Sequence, residues 1–207
     1  MSGQREEGLV DFRLEPYDPE RHDAETIATL IFEADPETMA LGFGPRDKAI
    51  KIIARLIQLQ NNQYAAENIT CAQHDDKTVG IIVGFTGDRM RYYEKESGQD
   101  YFRSFGFWHM LKLLPRASTL QKIVTTDMAD DEYCIFSLAV LSAYRGQGIG
   151  SRLLASALEE HDRLVLDVGI HNEAAQRFYE RHGLVRNGES TVMYKGQRIG
   201  NYTMRTA

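Results

Sequence analysis

Residues 133–150, YCIFSLAVLSAYRGQGIG, run directly into SRLLASALEEH. The stretch from Tyr133 to Val140 is an uncharged apolar run, the mark of a strand buried on both faces. A loop follows that carries Gly146, Gly148 and Gly150 around Arg145 and Gln147. Leu153, Leu154, Ala157 and Leu158 then recur at helical spacing, which predicts a helix starting at about Ile149. Strand, glycine turn and helix amino terminus together form an anion-binding device. Unpaired N–H groups point outward there, the helix dipole adds partial positive charge, and missing β-carbons let phosphate oxygens approach.

Three kinds of glycine loop compete for this stretch. A Walker loop requires Gly-Lys-Ser or Gly-Lys-Thr, whereas here Gly150 precedes Ser151 with no lysine, which speaks against a nucleotide switch. A dinucleotide fingerprint requires G-x-G-x-x-G, and these glycines are spaced G-x-G-x-G. Arg145, Gly148 and Gly150 instead fit Arg/Gln-x-x-Gly-x-Gly/Ala; a plain turn between strand and helix would read the same. Downstream, Leu164 to Val168 reads as a strand and His171 to Ala175 opens a helix. Arg177 to Val185 carries Tyr179, closes that helix at Gly183 and enters another strand. This ordered set resembles the core of the GNAT superfamily, the acyl-coenzyme-A-dependent N-acyltransferases, over about 133–185.

The resemblance implies an α/β, three-layer fold with a mixed, twisted central sheet flanked by helices. It implies a cleft where two strands splay apart just after Val140, and acetyl-CoA as cofactor. Backbone groups at Leu138, Ala139 and Val140 would pair with the pantetheine amides as an added strand does. The loop from Arg145 through Gly146, Gln147, Gly148, Ile149 and Gly150 to Ser151 would take the pyrophosphate, and Asn172 would hold the cofactor near the next strand end. Tyr179 matches the general acid that protonates the departing thiolate. The acceptor would be a small-molecule amine or a protein amine. A non-catalytic acyl-CoA-binding module remains the alternative, and Tyr179 favours the enzyme. The general base stays open among Asp131, Glu132, His171 and water.

The whole chain of 207 residues suits one domain. A net charge of −6 argues against a nucleic-acid surface. No signal peptide and no apolar run of membrane-spanning length is present. Cys71 and Cys134, each inside a predicted strand, read as buried hydrophobes in a reducing cytoplasm, and no His/Cys cluster has metal-site spacing.

Leu9 to Leu14 predicts a first strand, and Asp23 caps a helix that Asp35-Pro36 stops. Pro45 opens a second helix, apolar over much of its circumference. Asn68 to His74 and Thr78 to Phe85 predict a hairpin, as do Ser190 to Tyr194 and Ile199 to Arg205. Between these lies an insertion at about 88–130, with a helix expected over Tyr101 to Leu114 bearing the stripe Phe102, Phe105, His109 and Leu113. Two roles stay open for it: cover for the sheet, or a wall of the acceptor pocket. A symmetric contact through Phe105 and Trp108 would make it a homodimer surface.

Overall fold

The computed structural model describes residues 11–106, 127–194 and 196–207. Seven strands form one mixed sheet in the order β1-β2-β3-β4-β5-β7-β6. They span β1 (Arg13–Pro16), β2 (Ile69–His74), β3 (Lys77–Thr86), β4 (Tyr133–Val140), β5 (Leu164–Gly169), β6 (Leu184–Tyr194) and β7 (Gln197–Thr206). Only β4 and β5 pair in parallel; the other neighbours are antiparallel.

Helices α1 (Ala24–Ala34), α2 (Pro36–Phe43) and α3 (Arg46–Ile57) precede the β2–β3 hairpin. Ile27, Ile31, Ile53 and Leu56 from α1 and α3 join Cys71, Ile81 and Val83 in a core on one side of the sheet. Helix α6 (Ile149–Glu160) contributes Ile149, Leu153 and Leu154 to a second core with Ile82, Leu164 and Leu166. Ile81 and Ile82 thus serve opposite faces, as strand alternation requires. Both cysteines are buried and unpaired, and burial pushes each thiol up to about 12.

Asp23 caps α1 as expected, accepting from the Thr26 N–H at 2.9 Å. Asp35-Pro36 stops α1 as expected and is also a junction. The Asp35 carboxylate accepts from the Thr38 N–H at 3.1 Å and Pro36 sits in the first turn of α2, so one residue pair ends one helix and starts the next. Pro45 is the N-cap of α3 rather than its first residue. Of the first strand expected over Leu9 to Leu14, Leu9 and Val10 lie outside the described residues, and the strand observed spans Arg13–Pro16. The segment Ser190 to Tyr194 is the end of the long strand β6, which starts at Leu184.

The insertion leaves the sheet at α4 (Gly87–Glu96), continues in α5 (Gly98–Phe105) and returns before Tyr133. Its two ends touch. Gly87 N–H donates to Glu132 O at 3.0 Å, and Asp88 N–H to Asp130 O at 3.2 Å. A β-carbon on Gly87 would lie 2.0 Å from Ala129 O, so only glycine admits this approach. Helix α5 ends at Phe105, with Gly106 at φ 71°, so the described part of the helix expected over Tyr101 to Leu114 is Tyr101 to Phe105. Residues 107–114, Trp108, His109 and Leu113 among them, lie outside the described residues. Phe102 is exposed, whereas Phe105 packs inward on Phe43 at 5.3 Å between ring centroids, so these two do not form one stripe.

Candidate active site

Strands β4 and β5 diverge early. Their register holds only at Tyr133↔Leu164 and Cys134↔Val165, so the opening begins after Cys134, six residues before the expected Val140. On its other side β4 stays paired to β3 through Gly80↔Val140. That ladder skips one residue, with Val83↔Ser137 followed by Gly84↔Ile135, which leaves Phe136 as a bulge. A bulge bends its strand and raises its twist, and this one sits at the point of divergence. From Ile135 onward one edge of β4 has no strand partner, and these are groups a bound amide chain can use.

A cavity of about 600 Å³ fills the opening. Its strand-side lining runs from Cys134 to Leu138 and from Asp167 to Gly169. Helix α7 (Glu173–Arg181) closes one flank. Its N-cap Asn172 accepts from the Ala175 N–H at 3.1 Å, and Asn172, Ala175 and Tyr179 all line the cavity, the shared face that helical spacing predicts. Tyr179 is only 8% exposed, and burial raises its phenol well above the ordinary value. Its hydroxyl has no hydrogen-bond partner among the described residues. A protonated phenol facing an open cavity is a proton donor.

The glycine loop lies beside this flank. Gly146 and Gly148 adopt φ 79° and 81°, and Gly148 is the N-cap of α6 with no side-chain cap. The N–H groups from Gly148 to Ser151 donate to no carbonyl among the described residues, so they are free for an anion. Gly150 stands against Phe178 and Val140, at 3.7 Å from where its β-carbon would be, which places the first turn of α6 next to α7. Arg145 is already engaged: its Nε donates to Val140 O at 3.0 Å. Gln147 likewise turns back, its Nε2 donating to Ala143 O at 3.3 Å. Leu138 lines the cavity, while Ala139 packs into the core beside α1 and α3.

The proposed bases do not reach this space. Asp131 takes two bonds from Arg163 Nη1, each 2.9 Å, and Glu132 is buried between Arg205 Nε at 3.1 Å and Arg163 at 3.4 Å. Both stand where β4 begins. His171 Nε2 meets Arg198 O at 2.9 Å on the surface. None of the three lines the cavity.

The opposite flank is made by residues that no motif flags. Asp35 and Met39 at the α1–α2 corner, Tyr64 before β2, and Glu94 of α4 all border the cavity. Tyr101 and Phe105 of the insertion join them, which puts part of the insertion in the pocket wall. Tyr101 Oη donates to Gln63 Oε1 at 3.0 Å. The buried Asp100 carboxylate accepts from Asn61 N–H at 2.8 Å and from Asn62 Nδ2 at 3.2 Å, which fastens α5 to the body.

Residues 45–184, well over half the chain, match the acetyltransferase (GNAT) family, and the chain belongs to it. A segment of 57 residues is 40% identical to N-alpha-acetyltransferase 30 of Schizosaccharomyces pombe (strain 972 / ATCC 24843), covering 25% of this chain and 38% of that protein. The fold is similar to an N-acetyltransferase from Staphylococcus aureus Mu50 (TM-score 0.65, 22% identity, 94% of this chain and 100% of that one). It is also similar to a chain of the NatC complex bound to Gag peptide and CoA (TM-score 0.54, 18% identity, 95% and 98% covered). Among the described residues no helix is long and apolar enough to cross a membrane.

Proposed function

We propose that this protein is an N-acetyltransferase that moves an acetyl group from acetyl-CoA to a primary amine by direct transfer. The observation that carries this reading is the Tyr179 hydroxyl, unpartnered among the described residues, facing the cavity that opens between β4 and β5. The chain's own groups fit the cofactor: free N–H groups at the start of α6 suit a pyrophosphate, and the unpaired β4 edge suits pantetheine amides. When bound, acetyl-CoA supplies the acyl group as a thioester. Tyr179 holds its proton at Oη, ready for the departing sulfur, and Asn172 fixes the start of α7 so that this phenol is aimed. Asp131, Glu132 and His171 are held outside the cavity, so the reading sends the amine proton to water.

Tyr179→Phe tests the assignment. Turnover should fall by about 10²–10⁴-fold while acetyl-CoA affinity and thermal stability hold. The wild-type rate should persist on the alkaline side through roughly pH 10, because burial keeps the phenol protonated beyond the ordinary tyrosine value. A Tyr179→Phe enzyme with wild-type turnover would remove Tyr179 from the chemistry. Acetyl-CoA binding with no amine acetylated would favour the binding module.

A further inference from the structure

The acceptor flank of the cavity has a charge pattern that the acetyl-transfer chemistry does not use. Asp35 and Glu94 both border it, and no Lys, Arg or His is among its described lining residues. Among the described residues the Asp35 carboxylate meets only the Thr38 N–H, and Glu94, exposed to solvent, makes no ion pair. Two carboxylates therefore face one cavity without a described counter-ion. Between them and the β4–β5 opening the walls are aromatic. Phe105 stacks on Phe43 at 5.3 Å and on Tyr101 at 5.7 Å, giving flat carbon faces that suit a methylene chain and attract a cation.

A second, independent feature lies further in. Ser137 in β4 is 7% exposed and lines the same cavity, and its buried Oγ has no hydrogen-bond partner among the described residues. Buried hydroxyls without partners are uncommon, and one lining a cavity is a place for a ligand N–H. The geometry points to an acceptor with two positive ends, an aliphatic diamine or polyamine. Its reacting nitrogen is received at Ser137 Oγ and its distal ammonium is held by Asp35 and Glu94. This inference rests on the acetyltransferase reading and adds the acceptor to it.

Three probes of equal length separate the charge from the chain: hexamethylenediamine, hexylamine and ε-aminocaproate. The purified protein should bind hexamethylenediamine at least about tenfold more tightly than hexylamine, measured by calorimetry without cofactor, and ε-aminocaproate more weakly still. The same ranking should appear in KM during turnover with acetyl-CoA. Glu94→Gln and Asp35→Asn, the latter keeping a cap for α2, should each raise KM for the diamine several-fold and leave hexylamine unchanged. Equal use of all three amines by an active enzyme would overturn the inference and leave acetyl transfer standing. So would a peptide N-terminus with an uncharged first side chain that outcompetes the diamine. Failure to bind acetyl-CoA would instead remove the reading on which the inference rests, and the inference with it.

Discussion

The two flanks of the cavity are built from different materials. On the α6–α7 side the groups on offer are mostly main-chain: N–H groups from Gly148 to Ser151 and the free edge of β4. On the α2–α5 side they are side chains drawn from separate elements, Asp35, Tyr64, Glu94 and Tyr101 among them. A site made of backbone requires only that the chain turn correctly, so most of its side chains are free to vary. A site made of side chains changes with every substitution. The first kind suits a ligand shared by a whole family, and the second an acceptor particular to one member.

Gly148→Asp challenges that contrast most severely. It sets a negative charge at the amino terminus of α6, and acetyl-CoA affinity should drop by about 10²-fold, equivalent to ~2.7 kcal/mol. Calorimetry on the folded variant decides the matter, and unchanged affinity would mean that the loop is not the pyrophosphate seat. Asp100→Ala attacks the other flank without touching the cavity. Asn61 N–H and the Asn62 amide would lose a buried carboxylate, lowering stability by about 1.5–3 kcal/mol by denaturant titration. Amine KM should rise while acetyl-CoA affinity holds, and equal losses on both sides would erase the distinction between them. Arg145→Ala should be the mildest. Its Nε already serves Val140 O, so acetyl-CoA affinity should fall by only about two- to fivefold, ~0.5–1 kcal/mol. A larger fall would make the guanidinium a main phosphate ligand.

The same contrast explains what could be read from the chain beforehand. Glycines at 146 and 148, a helical apolar stripe and an N-capping Asn172 state local geometry directly, so strand, loop, helix and the orientation of Tyr179 were legible. The place where β4 leaves β5 was not. It depends on which partner strand holds Ile135, and on the Phe136 bulge that appears only against β3. Asp131 and Glu132 looked free because Arg163 and Arg205, which occupy them, are far along the chain. In the sequence Asp35 reads as a helix stop alone, because its second duty, capping α2, shows only when α2 forms. Tyr64 stands outside any periodic element and Glu94 shares helical spacing with Met90 alone, so no pattern joins this flank to the rest of the cavity before folding does.

The near-contact of Gly87 with Ala129 has an evolutionary consequence. An excursion whose two feet stand together is a cassette: it can be lengthened, trimmed or exchanged while Thr86 and Tyr133 stay paired beneath it. Loop-closure entropy opposes such exchange weakly, by only about 0.6 kcal/mol for each doubling of length. Because α5 within this cassette supplies Tyr101 and Phe105 to the cavity wall, one recombination event at these feet would reshape that wall. The free edge of β4 and the glycine loop, both encoded after Tyr133, would be inherited unchanged.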